Sequence, residues 1–122
     1  MLQFQQVYIQ KRDDETYAKM KVFIETEVWG RSLDLLMKNR AFSENEIKII
    51  IYQCSDALEY LHSHQIMHRD IKERNILVNE IDGKINIKIC DFGFIKQFDP
   101  YERADNTNNV GTQSYRSPEM CL

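Results

Sequence analysis

The densest group of chemically active side chains lies in HRDIKERN, residues 68–75, between a helical pattern and the strand-like run ILV at 76–78. Within it, Asp70 and Lys72 set a carboxylate beside a cation, and Asn75 adds a neutral oxygen donor. A carboxylate in that setting can orient a hydroxyl and accept its proton, while the lysine faces a phosphate. The segment therefore predicts phosphoryl-transfer chemistry, provided that a cation site lies beside it.

A β-hairpin is predicted to supply that cation site. After residues 76–78 comes the turn signal Asp82-Gly83, and isoleucines then alternate with polar residues up to Cys90 and Asp91. Folding this hairpin would bring Asn75, at its start, near Asp91, at its end. Amide and carboxylate oxygens suit Mg²⁺, which takes few protein ligands together with phosphate oxygens and water.

The elements before this segment should position it. Residues 4–10 and 20–28 are rich in β-branched and aromatic side chains and predict an antiparallel pair of strands. A short helical segment is predicted for 33–37, and residues 94–122 show no period and are expected to form an extended loop.

A long helix is predicted between these parts, ending at His62 or Ser63. Ser43 and Glu46 form a capping box at its start. Apolar residues then recur every three or four positions and should form one stripe that needs a core to cover it. The stripe consists of Ile47, Ile50, Ile51, Cys54, Leu58 and Leu61.

Composition places the chain among ordinary globular proteins. Its 122 residues suit one domain or part of one, with 43% hydrophobic and 29% charged residues. A net charge of −3 argues against a nucleic-acid partner, and no apolar run is long enough to cross a membrane. Three widely spaced cysteines fit a reducing compartment, so cytoplasm or nucleus is expected.

Three linked motifs resemble the protein kinase family. These are HRD at 68–70 with Asn75 five residues after the aspartate, DFG at 91–93, and GTQSYRSPE at 111–119. The resemblance implies an α+β, kinase-like fold of which this chain is a part. That part would comprise the end of the N-lobe sheet and the hinge (1–28), the first half of the helical C-lobe with the catalytic loop (29–93), and the activation segment (94–119).

The resemblance also implies roles for individual residues. Asp70 would be the catalytic base and Lys72 the lysine at the transferred phosphoryl group. Asn75 and Asp91 would bind Mg²⁺ and so help to bind ATP. His68 would brace the loop structurally.

The adenine site is carried over in the same way. Thr26 would be the gatekeeper, with the Glu27 carbonyl and the Trp29 amide facing adenine. Leu77 would form the floor beneath the base.

Serine/threonine specificity is indicated by the lysine of DIK at 70–72 and by GTQSYRSPE. Thr112 would then help Asp70 and Lys72 to recognise the acceptor hydroxyl of a protein substrate. The resemblance also implies that Arg69 binds a phosphorylated residue of the activation segment, for which Thr107 is the candidate.

The Gly-rich loop, the strand lysine and the helix glutamate of the family are not visible, and the chain has only four glycines. We therefore expect a section of a longer serine/threonine kinase that has little activity alone. A catalytically incompetent kinase fragment or pseudokinase that binds and regulates partners is the main alternative. An unrelated metal-dependent phosphoesterase that uses Asp70 and Asp91 is a third. The oligomeric state stays open.

Overall fold

The computed structural model describes residues 4–11, 20–99 and 110–118. Two strands open the chain, β1 (Phe4–Lys11) and β2 (Met20–Thr26), and they pair antiparallel. The predicted pair of strands is therefore present, although β2 ends two residues earlier than expected. Residues 27–30 leave the strand without regular structure and lead to the rest of the molecule.

Two helices follow. After the short strand β3 (Arg31–Ser32), helix α1 (Leu33–Asn39) runs two residues beyond its predicted end, and α2 (Glu44–Ser63) is the long helix. The capping box is present, because the Ser43 side chain accepts from the Glu46 amide and the Glu46 side chain accepts from the Ser43 amide. None of the helices in the described part of the chain is long and apolar enough to cross a membrane.

The predicted hairpin consists of β5 (Ile76–Ile81) and β6 (Lys84–Ile89), which follow the short strand β4 (Ile66–Met67). Its register pairs Ile81 with Lys84 and Ile76 with Ile89. The turn residues Asp82 and Gly83 both have positive φ, 51° and 70°, as a two-residue hairpin turn of this type requires. The turn therefore lies where the sequence predicted it.

The core lies where α2 and α1 cover one face of the hairpin. Its buried members are Leu33, Ile50, Ile76, Val78 and Ile85. The side chain of Gln53, from the middle of α2, also grips the edge of β6: its Nε2 donates to the Ile85 carbonyl at 2.8 Å and its Oε1 accepts from the Ile87 amide at 3.0 Å. This polar clamp fixes the helix against the hairpin.

The expectation of an extended loop after residue 94 needs correction for the part that the structure describes. Strand β7 (Lys96–Gln97) pairs with β4, and a 3-10 turn spans Gln113–Tyr115. Residues 100–109 and 119–122, with the candidate phosphosite Thr107, lie outside the described residues. The pairing of β4 with β7 brings the segments before HRD and after DFG side by side.

Candidate active site

The connection between β4 and β5 carries the charged segment, and His68 holds it in place. His68 is 2% exposed; one ring nitrogen, Nε2, contacts the Cys90 carbonyl at 3.1 Å, and the other, Nδ1, accepts from the Asp70 amide at 3.3 Å. Its ring packs edge-on against Phe92. These contacts support the bracing role that the resemblance implies for His68.

Asp70 lies at the centre of the site, with its side chain 1% exposed. Its Oδ1 accepts from the amide and the hydroxyl of Thr112 at 2.8 and 2.7 Å. Its Oδ2 accepts from Lys72 Nζ at 2.7 Å and from Asn75 Nδ2 at 3.1 Å. The Asp70 carboxylate therefore connects Lys72 and Asn75, which are near it in sequence, with Thr112, which is 42 positions away.

These contacts determine the charge of Asp70. Burial alone would raise the pKa of its carboxyl, but hydrogen bonds from Lys72 and Thr112 outweigh burial and hold that pKa at about 2. The side chain is a carboxylate at neutral pH. In that charge state the carboxylate can accept a hydrogen bond from an acceptor hydroxyl.

Lys72 connects the loop to the last described segment. Its Nζ donates to the Thr112 hydroxyl at 2.6 Å as well as to Asp70, and the side chain is 19% exposed. The structure thus brings together Asp70, Lys72 and Thr112, which the sequence predicted as one set.

Asn75 is buried at the end of a 3-10 turn (Glu73–Asn75). Its Nδ2 donates to the backbone carbonyl of Asp70 at 2.8 Å, in addition to the side chain. Because the amide hydrogens face Asp70, Oδ1 is the atom suited to a cation. The backbone carbonyl of Asn75 accepts a hydrogen bond from the Cys90 amide at 2.9 Å. Asp91 is the next residue along the chain after Cys90.

The amide oxygen of Asn75 and the carboxylate of Asp91 are hard donors of the kind that Mg²⁺ prefers, and Asp91 Oδ1 accepts from the Gly93 amide at 3.3 Å. Among the described residues no three His, Cys, Asp or Glu side chains form a metal cluster.

Two backbone conformations at the site were not foreseen. Arg69, which precedes Asp70, and Asp91, which precedes Phe92, have φ of 64° and 62°, in the left-handed region that disfavours most side chains. Gly111 has φ 79°, and a Cβ there would lie 2.3 Å from the Arg69 carbonyl oxygen. Only glycine allows this close approach, which brings Thr112 to Asp70.

The expected adenine-binding residues lie along the connection from β2 to β3. Thr26 ends β2, Glu27 and Trp29 follow, and Lys88 of β6 forms an ion pair with Glu27 and lies 4.9 Å above the Trp29 ring. Leu77 pairs with Lys88 across the hairpin and with Ser32 of β3. The predicted hinge and floor are thereby brought to one side of the hairpin.

Cys90 and Arg69 have structural contacts. Burial raises the pKa of the half-buried Cys90 thiol, and the Asp91 charge raises it further, so the thiol is poorly suited to act as a nucleophile. Arg69 Nε donates to the Phe94 carbonyl at 2.6 Å. Its expected contact with phosphorylated Thr107 stays a prediction.

Two further residues were assigned no role by the sequence. Glu73 of the 3-10 turn accepts a hydrogen bond from the Tyr115 hydroxyl. This contact lowers the pKa of the Glu73 carboxyl and raises that of the Tyr115 phenol. No signal in the sequence pairs them, because they lie 42 positions apart and Tyr115 belongs to a segment without periodicity.

The structure thus brings a lysine, a threonine and an asparagine to one buried aspartate, and these are residues of the motifs that resemble protein kinases. Residues 2–121 match the protein kinase domain family. The chain belongs to the protein kinase family. The α+β fold that the resemblance implied is confirmed.

Individual protein kinases are also similar to this chain. The chain is 36% identical over 103 residues to the serine/threonine kinase NLK of Caenorhabditis elegans, covering 84% of this chain and 16% of that protein. It is 39% identical over 101 residues to the mitogen-activated protein kinase hog1 of Trichoderma harzianum, covering 83% and 26%. The chain thus spans about a quarter or less of these curated relatives.

A solved structure shares the fold. In the crystal structure of the yeast RNA Pol II CTD kinase CTDK-1 complex, one chain is 31% identical and superposes with a TM-score of 0.74. The match covers 98% of this chain and 36% of that chain. Protein kinases use ATP and Mg²⁺ and act on protein substrates. The domain boundaries and site roles given above stay predictions.

Proposed function

We propose that the protein transfers the γ-phosphoryl group of ATP to serine or threonine hydroxyls of protein substrates. The observation that carries this proposal is the bonding of Asp70 to both Lys72 and Thr112. A carboxylate held in this way can receive an acceptor hydroxyl, and the lysine beside it can neutralise charge on the phosphoryl oxygens.

The chain's own residues would divide the work of positioning. Asp70 would orient the hydroxyl for in-line attack and take its proton as the oxygen–phosphorus bond forms. Thr112 would hold Asp70 and Lys72 at a fixed separation. Asn75 and Asp91 would hold Mg²⁺, which when bound neutralises phosphate charge.

The adenine end would be held by the connection after β2. The Glu27 carbonyl and the Trp29 amide would bond the base, Thr26 would limit the depth of the pocket, and Leu77 would pack beneath the ring. The ion pair of Lys88 with Glu27 supports this placement, because it ties the connection to the hairpin that carries Leu77. We place this activity in the cytoplasm or nucleus.

The test is phosphate transfer from labelled ATP to protein substrates by the full-length protein and two variants. Asp70→Asn should lower kcat by roughly 10²–10⁴-fold, because the amide can neither accept the proton nor keep the charge beside Lys72. Asp82→Asn is the matched control. It makes the same chemical change in an exposed hairpin turn that tolerates asparagine, and should leave kcat unchanged.

Equal rates for the wild type and Asp70→Asn would contradict the proposal. Nucleotide binding without any transfer by the wild type would instead support the regulatory alternative.

A further inference from the structure

A cavity of about 530 Å³ lies beside the proposed catalytic residues. Lys72 and Thr112 contribute to its lining, and so do Lys38 of α1, Arg74 of the 3-10 turn and Tyr115. Because Lys72 and Thr112 both bond Asp70, the cavity adjoins the place where an acceptor hydroxyl would lie. A substrate segment bound at Asp70 would therefore pass its neighbouring residues over this cavity.

The acidic side chains of the cavity already have partners. Asp34 Oδ1 accepts from Ser32 Oγ at 2.6 Å, and the Glu73 carboxylate accepts from the Tyr115 hydroxyl. The Ser32 hydrogen bond lowers the pKa of the Asp34 carboxyl, so this group stays charged at neutral pH. Both carboxylates of the cavity therefore already accept hydrogen bonds from neighbouring side chains.

Two basic side chains of the cavity, Lys38 and Arg74, are largely exposed to solvent. Asp34 Oδ2 lies 3.6 Å from Lys38 Nζ and 3.4 Å from Arg74 Nε, so two cations share one carboxylate. The Lys38 and Arg74 side chains are 68% and 75% exposed, whereas that of Asp34 is 23% exposed. The positive charges therefore face solvent and the negative charge lies beneath them.

Arg74 is well suited to receive an additional anion. A guanidinium carries five N–H donors, and the contact with Asp34 is made through Nε. The two terminal nitrogens form a planar fork that matches a carboxylate or a phosphate. Lys38, bound to the same Asp34, would add a second positive charge at the rim.

We infer that Arg74 and Lys38 select protein substrates with an anionic side chain, a carboxylate or a phosphate, close to the acceptor hydroxyl. This inference rests on the proposed function and names the substrate class of the same site. It assigns Arg74 as the main specificity-determining residue.

The experiment uses the full-length protein and three peptides with a threonine acceptor that differ at one neighbouring residue: glutamine, glutamate or phosphoserine. The ratio of kcat/KM for the glutamate peptide to that for the glutamine peptide should be about tenfold. A larger ratio for phosphoserine identifies phosphate as the better anion, and equal ratios identify the shared negative charge as sufficient.

Two charge-reversal variants test whether Arg74 causes the preference for the glutamate peptide. Arg74→Glu should abolish the preference for the glutamate peptide. Lys48→Glu is the control, because Lys48 is 67% exposed and pairs with Glu44 four residues earlier on α2, as Lys38 pairs with Asp34 on α1. Lys48→Glu should keep the tenfold ratio. Equal kcat/KM for glutamate and glutamine, or an unchanged ratio in Arg74→Glu, would overturn the inference.

Peptide binding separates this inference from the proposed function. Fluorescence anisotropy on the Asp70→Asn protein measures affinity for the labelled peptides without any transfer. Tighter binding of the acidic peptides, lost in Asp70→Asn/Arg74→Glu, would support the anion site even if the wild type transfers no phosphate. Transfer by the wild type with no difference in affinity or kcat/KM among the three peptides would reject the anion site and leave the proposed function standing.

Discussion

At the scale of single residues, the site is organised around the charge of Asp70. Four hydrogen bonds reach its two oxygens, from Lys72, from Asn75 and, twice, from Thr112. A buried carboxylate without such partners would become protonated or destabilise the fold. The bonds therefore keep the carboxylate charged and also tie the loop to residues 110–118.

This arrangement predicts a dependence of stability on pH. The pKa of the Asp70 carboxyl falls from 3.8 to about 2 on folding. A lowered pKa in the folded state gives stability that is fully present above 3.8 and is lost as the pH falls towards 2. The free energy of unfolding of the wild type should fall more steeply across this range than that of Asp70→Asn, as measured by denaturant titration.

Glu46 also has a pKa of about 2 and contributes in the same range, but it is present in both proteins. The difference between the two curves therefore reports Asp70. Parallel curves would show that Asp70 gains no such stabilisation on folding.

At the scale of elements, α2 is positioned by polar contacts at its start and its middle. The capping box of Ser43 and Glu46 satisfies amides at the first turn, and Arg40 adds an ion pair to Glu46 at 2.6 Å. The Gln53 clamp then sets the helix against β6. These contacts hold α2 against the hairpin, whose two ends adjoin Asn75 and Asp91.

Ser43→Ala should lower the free energy of unfolding by about 1 kcal/mol, because it removes the acceptor for the Glu46 amide. Ser55→Ala on the same helix is the control. Ser55 is exposed and bonds only the Ile51 carbonyl of its own helix among the contacts described, so its replacement should change stability by less than about 0.5 kcal/mol. Denaturant unfolding followed by circular dichroism compares the two, and equal effects would remove the capping box as an explanation.

At the scale of the whole molecule, one side of α2 is apolar and open. Ile47 and Ile51 belong to the predicted stripe and are 45% and 59% exposed, whereas Ile50 is 6% exposed. An apolar cavity of about 410 Å³ lies between α1 and α2 beside them. Exposed apolar surface of this kind promotes association, so the 122-residue chain by itself should tend to aggregate.

Ile51→Gln should reduce aggregation of the isolated chain, measured by light scattering, without loss of helix content. Ile50→Gln is the contrasting variant, because it places an amide in the core and should cost roughly 3 kcal/mol or more. Equal aggregation of Ile51→Gln and the wild type would show that this surface is not the cause.

The sequence alone determined the family, the first strand pair, the two helices and the hairpin, and it predicted a set of site residues. Motifs such as HRD and DFG, the capping box at Ser43 and the turn at Asp82-Gly83 are local, and each depends on side chains within a few residues of one another. Alternation of apolar residues likewise predicted β6, and their recurrence every three or four positions predicted α2, of which Ile50 and Leu61 are buried. These predictions agree with the structure because helices, hairpin turns and helix caps depend on residues only a few positions apart.

Only the tertiary structure decided how distant segments meet. The approach of Gly111 to Arg69, the bond between Glu73 and Tyr115 and the grip of Gln53 on β6 join residues 32 or more positions apart. Residues 110–118 have no period that could predict their path. Their position depends on which buried groups, Asp70 above all, need hydrogen-bond partners once the core has formed.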